Sequence, residues 1–307
     1  MTDNALERFE GLLRRELPGL IYLRGEPMAA HTTFKVGGPA DFLAQVEDAG
    51  QLAGLLALCR REGVPALMMG NGSNLLVRDG GIRGVVIQCG PGLSQMNVAG
   101  EVITAGAGCM LSALSRLARD HSLAGLAFAA GIPGCLGGAL VMNAGAYGGQ
   151  MADVVESVQA LDEGLEPAVL SGAELELGYR RSVFMRRGLF ILSARLRLTP
   201  GDREAIAADM AEYQRRRREK QPLTLPSAGS TFKRPEGHFA GALIQQAGLM
   251  GLRVGGASVS TLHAGFVVND QGGTAQDIER LIALIRQRVH ENSGVWLTPE
   301  VRIVGEV

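Results

Sequence analysis

The chain has 307 residues, 46% hydrophobic and 20% charged, enough for a buried core and for two or three domains of about 100 to 200 residues each. Disorder and fibres are excluded, since the 43 glycines lack the three-residue period of collagen. Thirty basic against 31 acidic residues give a net charge of -1, so no overall positive field exists to hold nucleic acid or an anionic membrane.

In chain order, MTDNALERFEGLLRREL reads as an amphipathic helix with acids and bases mixed through it, and no export signal is visible. Cys59, Cys89, Cys109 and Cys135 stand far apart in apolar stretches without a CxxC pair, so buried free thiols and a cytoplasmic protein are expected. HTTFKVGGPADFLAQVED leads into an alternating strand over 40–46. Asp48 then caps a helix, with Gln51 at the capping-box position and Leu52, Leu55, Leu56 and Cys59 on one face. A buried strand over 64–69 ends at Gly70-Asn71-Gly72-Ser73-Asn74. Successive amides in a tight glycine turn form an anion-binding concavity, so a diphosphate suits this loop as well as an ordinary hairpin does.

Short strands separated by glycine turns cover 82–109, before a helix with Leu111, Leu114, Leu117 and Ala118 inward. Residues 121–152 contain no Lys, Arg, Asp or Glu and are long enough to span a bilayer. Gly131-Ile132-Pro133-Gly134 nevertheless breaks a helix near the centre, and Asn143 and Gln150 are polar. Seven glycines between 131 and 149 cost conformational entropy, which implies a backbone pressed against a large flat or elongated ligand. Gly106-Ala107-Gly108 is placed to bring a third loop there. It is a poor Rossmann signature, because Leu111 fills the third glycine position. A dinucleotide on another fold is expected, with no metal.

A β-rich stretch covers 154–198, and a charged helix over 204–220 marks a shift in composition. The C-terminal part is mixed α/β, with a long helix over 275–291 that has Thr274 and Asp277 in capping-box spacing and Ile278, Leu281, Ile282, Ile285 and Val289 inward. Scattered polar segments remain: Tyr179 to Phe184, Pro226 to Pro235 and Trp296 to Arg302. In an extended segment Glu300 and Arg302 share one face, with Val301 and Ile303 on the other. Alone, each reads equally as a turn or a surface ion pair. Ser230 has neither a GxSxG context nor a partnering histidine, so it is no triad nucleophile. The histidines read as structural or surface groups, His263 being the candidate exception.

GNGSNLLV, GIPGCLGGALVMNAGAYGG, YRRSVF, PSAGSTFKRP and WLTPEVRIVGE occur in this order, and together they closely resemble the UDP-N-acetylenolpyruvoylglucosamine reductases, flavoenzymes of bacterial peptidoglycan precursor synthesis. The likeness runs from about Thr32 to Glu306. It implies an α+β fold: a helical arm over 1–30, an FAD-binding domain of the vanillyl-alcohol-oxidase (PCMH) type over 31–200, and an α/β substrate-binding domain over 201–307. The FAD domain would comprise two α+β subdomains, about 31–90 and 91–200. The resemblance makes the dinucleotide FAD, with Gly70, Asn71, Gly72, Ser73 and Asn74, then Gly131, Ile132, Pro133, Gly134, Gly137, Gly138 and Asn143, around its diphosphate and flavin.

It further implies that NADPH reduces the flavin, after which hydride passes from N5 to C3 of an enolpyruvyl ether on a nucleotide sugar and a proton is added at C2. Ser230 matches the proton donor, and Arg180 and Glu300 match groups beside the substrate carboxylate. A serine hydroxyl is a weak acid, yet a carbon-centred enolate is basic enough to take its proton. Arg180 offers a fork that fits a carboxylate. Lys220, Lys233 and Gln246 fall on or near substrate-contacting positions, and Arg234 stands where the long-loop branch carries asparagine. No tyrosine lies between 179 and 213, which resembles the short-loop branch. A flavin oxidase of the same fold would share the glycine loops but has no use for Arg180, Ser230 and Glu300 together. A non-catalytic nucleotide-sugar or flavin-binding protein would lose those reactive groups. A monomer is the default expectation.

Overall fold

The computed structural model describes residues 2–307. They form two compact units, each discontinuous in sequence. One takes the chain up to Arg24, Phe42–Gly70 and Gly84–Arg215; the other takes Gly25–Asp41, Asn71–Arg83 and Arg216–Val307.

In the first unit, α1 (Asp3–Glu16) starts at Thr2, whose hydroxyl accepts from the Ala5 amide, and ends in Arg14 and Arg15 at its negative pole. It is not the separate arm expected over 1–30. Phe9 and Leu13 are buried in one core with α2 (Ala49–Glu62), and the Phe9 ring lies 5.5 Å from that of Phe42. Each such burial stabilises by about 1.5–3 kcal/mol, which a detached arm would forfeit. The Asp48 carboxylate caps α2 by accepting from the Gln51 amide at 2.8 Å, while the Gln51 side chain accepts from Glu47 rather than from Asp48 itself. Leu52, Leu55, Leu56 and Cys59 are buried, as their spacing predicts.

A sheet runs in the order Ile21–Pro27, Pro39–Val46, Ile82–Cys89, Ala66–Met68, its last pair parallel, and its parts in this unit give Phe42, Ala44, Val46, Val85 and Ile87 to the core of these helices. The strand expected over 64–69 is only Ala66–Met68, because Pro65 has no amide to give a ladder and Met69 already leads into the glycine turn. An antiparallel sheet runs Pro167–Ser171, Val155–Leu161, Phe190–Arg197, Val102–Gly106, Met96–Ala99. α3 (Leu111–Asp120), α4 (Leu136–Met142) and α5 (Val183–Arg187) bury their apolar residues in the core with it. The charge-free stretch is short helices and turns, and among the described residues no helix is long and apolar enough to cross a membrane.

The unit boundary falls at 215/216 instead of the expected 200/201, and α6 (Arg203–Lys220) shows why. Its buried residues Ile206 and Met210 cluster with Ala130, and Tyr213 stacks on Tyr147 with ring centroids 4.4 Å apart and planes 1° from parallel. The helix is thus fastened to the first unit through Tyr213.

In the second unit, Arg253–Val254, Ala257–Val259 and Val267–Asn269 form an antiparallel meander, accompanied by α7 (Ala240–Gln246) and α8 (Ala275–Ser293). The capping box of Thr274 and Asp277 is formed, and the Asp79 carboxylate accepts from the Ala275 and Gln276 amides at 2.9 and 3.0 Å. Ile278, Leu281, Ile282, Ile285 and Val289 of α8 share a core with Phe34, Val36 and Leu76. Leu75–Val77 pairs in parallel with Arg302–Val304. Those contacts explain why 25–41 and 71–83 belong here and not with their sequence neighbours. The Trp296 ring lies over His290 at 4.2 Å.

Candidate active site

In the first unit the glycine loops meet. Residues 107–111 and 134–137 are stitched together by Leu111 N to Gly134 O at 3.0 Å, Leu136 N to Cys109 O at 2.8 Å and Gly137 N to Ala107 O at 2.8 Å. A Cβ on Gly70 would stand 2.1 Å from Cys135 Sγ, so the end of the 66–68 strand closes on the same point. The third loop proposed from Gly106 to Gly108 is therefore present. Gly138 differs from these contact glycines. It is exposed, a Cβ there would meet no atom within 4 Å, and its φ is not left-handed. Gly138 lies inside α4, and nothing in the chain demands glycine there. The Ile132 and Gly137 amides already donate to Ala129 and Ala107, so this loop presents a surface to a ligand with fewer amide donors than its glycine count suggests.

Asn143, at the end of α4, is left-handed at φ 42° and buried. Its amide nitrogen donates to Gln150 Oε1 at 3.0 Å and Gly178 O at 3.2 Å, and its Oδ1 accepts from the Ala152 amide at 2.9 Å. The side chain is thus engaged within the protein. Gly178 opens a tight hairpin closed by Gly178 N to Arg181 O at 3.0 Å and Arg181 N to Gly178 O at 3.1 Å. At its tip Arg180 is held at φ 53°, a conformation that costs a non-glycine residue on the order of 1–3 kcal/mol. The Arg180 guanidinium carbon stands 5.1 Å from the centre of the Tyr179 ring, and Nη1 reaches the Asn143 carbonyl at 3.5 Å. Ser182 anchors the hairpin from behind, donating to Val141 O at 2.8 Å while capping α5.

The second unit holds the other predicted residues. Gly72 is left-handed at φ 61°, and a Cβ on it would stand 2.1 Å from His31 O, so Asn71, Gly72, Ser73 and Asn74 turn directly over residues 31–33. Asn74 then joins this turn to the C-terminal strand, its Nδ2 donating to Glu300 O at 3.2 Å and its carbonyl accepting from Arg302 N at 3.0 Å. Residues 231–233 run antiparallel to 298–300 through Glu300 N to Thr231 O at 2.8 Å and Lys233 N to Thr298 O at 2.9 Å. The buried Thr231 hydroxyl accepts from Val267 N at 3.0 Å, fixing that ladder to the meander. Ser230 is exposed beside it and Glu300 is half-buried. The turn at 71–74, Ser230, Lys233 and Glu300 are thereby gathered on one backbone framework. Arg234 follows with its guanidinium carbon 4.4 Å from the centre of the Phe239 ring. Gln246, at the end of α7, and Lys220, at the end of α6, are exposed and not part of that ladder.

Burial pushes the Cys59 and Cys89 thiols up to about 12 and raises Cys109 as well, so these cysteines stay protonated and unreactive. Burial lowers the His263 pKa, and its Nδ1 accepts from the Gly265 amide at 3.0 Å, so its neutral ring shapes a turn. Among the described residues no cluster of ligating side chains suits a metal. Two groups lie outside the motif argument: Thr33 Oγ1 and Gln221 Oε1 are buried without a hydrogen-bond partner. The position of Gln221 next to Lys220 and of Thr33 next to Thr32 carries no signal by residue type alone.

Residues 40–164 match an FAD binding domain, and residues 221–304 match the C-terminal domain of UDP-N-acetylenolpyruvoylglucosamine reductase. The chain is 49% identical over 294 residues to the UDP-N-acetylenolpyruvoylglucosamine reductase of Alkaliphilus oremlandii, covering 96% of this chain and 97% of that one. Against the same enzyme of Caldanaerobacter subterraneus the identity is 47% over 306 residues, 100% of both. The solved reductase from Thermus caldophilus superposes with a TM-score of 0.79 at 36% identity, covering 92% of this chain and 98% of that chain.

Proposed function

The chain belongs to the UDP-N-acetylenolpyruvoylglucosamine reductase family, and from that premise we propose how its residues divide the NADPH-dependent conversion of UDP-N-acetylglucosamine enolpyruvate to UDP-N-acetylmuramate. FAD fits the residues present, since the tight turn at Gly72 suits a diphosphate. When bound, FAD supplies the hydride, taken from NADPH and given to C3 of the enolpyruvyl group.

Addition of hydride at C3 leaves negative charge that spreads into the substrate carboxylate. Arg180 sits on a hairpin whose turn is fixed by two backbone bonds and a buried serine, which restricts what its fork must search to meet that carboxylate. Preorganised charge of this kind is usually the largest catalytic contribution. Ser230 donates its hydroxyl proton to C2, an assignment worth about 10²- to 10⁴-fold for a positioned general acid. Glu300 serves beside the carboxylate if it carries a proton or shares one in a hydrogen bond, so Glu300→Gln should alter the pH–rate profile. An unchanged profile removes that role. Lys220, Lys233, Arg234 and Gln246 are assigned to the nucleotide-sugar moiety, the cations facing its diphosphate.

The observation that supports this reading is the ladder of 231–233 on 298–300, in which Thr231, the residue after Ser230, pairs with Glu300, whose carbonyl accepts from Asn74 of the 71–74 turn. A flavin oxidase needs no such triple arrangement. Anaerobic visible absorbance tests it: the flavin band should bleach with NADPH and recover on adding UDP-N-acetylglucosamine enolpyruvate. Recovery with oxygen alone would instead favour an oxidase.

A further inference from the structure

The floor under the turn at 71–74 contains a hydroxyl with nothing to bond. Thr33 Oγ1 is buried and has no partner. Its neighbour Thr32 is satisfied, donating to Val36 O at 2.9 Å, and the Thr33 amide donates to Gly72 O at 3.4 Å. The absent Cβ of Gly72 would lie 2.1 Å from His31 O and 2.9 Å from Thr32 Cα, so residues 31–33 are in contact with the turn itself. Of the four such orphaned atoms in the described residues, on Thr33, Arg83, Gln221 and His290, the Thr33 hydroxyl belongs to the segment lying against the 71–74 turn.

A buried hydroxyl without a partner is costly, and a fold keeps one where something else completes it. Threonine is stiff at χ1, so its hydroxyl direction is set by the backbone and not by search. Resting on the reading of 71–74 as the diphosphate cradle, we infer that Thr33 is a further ligand of the FAD diphosphate, its hydroxyl donating to a phosphoryl oxygen. Such a bond to a charged acceptor is of the stronger kind and is lost cleanly in valine, which has the same shape.

The test uses the full chain, stripped of flavin and titrated with FAD. Thr33→Val should weaken FAD binding by about tenfold or more, Thr33→Ser should stay within about threefold of the parent, and the flavin-free Thr33→Val chain should melt no lower than the parent. At saturating FAD, the phosphorus resonances of the bound cofactor should shift between parent and Thr33→Val. Parental affinity in Thr33→Val, unmoved phosphorus resonances, or a lower melting temperature without flavin would each overturn the assignment, the last by revealing a purely structural bond. Gly72→Val in the same titration separates the two readings. If it keeps parental affinity, the cradle itself is misassigned; if it loses FAD while Thr33→Val does not, the Thr33 assignment alone fails.

Discussion

The two units hold their candidate site residues by different means. The first relies on local conformation: Arg180 and Asn143 are held left-handed, and contact glycines let loops approach to distances no side chain allows. The second relies on pairing across long sequence separations, with Asn74, Thr231 and Glu300 joined by backbone bonds. Local conformation stores strain at the candidate residue itself, whereas pairing distributes the load over amides that any residue type provides.

Substitutions sharpen this contrast, and Gly72→Val should have the largest effect. It combines a left-handed backbone with a clash against His31 O, so the chain should elute from gel filtration without flavin. A yellow protein at the parental elution volume would contradict it. Ser230→Ala should leave bleaching by NADPH intact and slow the reoxidation by substrate about 10²- to 10⁴-fold in stopped flow, since the ladder beside it uses backbone atoms. Arg180→Gly probes strain against function: turnover should fall by about 10²- to 10³-fold while the fold gains on the order of 1 kcal/mol from relief of the left-handed turn. A destabilised Arg180→Gly would show that packing on Tyr179, not conformation, dominates at the hairpin. Thr231→Val should cost about 1–3 kcal/mol in urea unfolding, because the buried Val267 amide loses its acceptor.

The smallest effect concerns pH. The amide of Thr274 and then that of Gly256 hold the Asp277 carboxyl below its ordinary 3.8. A depressed carboxylate stabilises the fold above its unfolded value and loses that contribution as pH falls through the folded one. Asp277→Asn should therefore flatten the loss of stability of the intact chain below about pH 4, and an unchanged acid limb would assign that loss elsewhere.

Much of this was legible in the residues. Helical spacing located α2 and α8 with their buried faces and α1 as an amphipathic helix, and the capping box at Thr274 is formed as its spacing predicts. Glycine density pointed to converging loops, and the loops at Gly70, Ala107 and Cys135 do converge. The division into units was not legible, because it depends on Phe34, Val36 and Leu76 choosing a core two hundred residues downstream, and periodicity carries no address. Nor does it reveal that the Asn143 side chain is consumed internally or that the Thr33 hydroxyl is left over. Both are facts of hydrogen-bond accounting, and that accounting requires coordinates.

The aromatic residues divide in a way that makes the chain its own instrument. The single tryptophan, Trp296, belongs to the second unit, while all four tyrosines, Tyr22, Tyr147, Tyr179 and Tyr213, belong to the first. Red-edge excitation therefore lights one place only, an indole on His290 a few residues ahead of Glu300, whereas tyrosine absorbance reports from the other unit. Denaturation followed by the two signals together becomes a direct measure of cooperativity: coincident curves mean that the interleaved chain melts as one, and separated curves give each unit its own stability without a label or a cut.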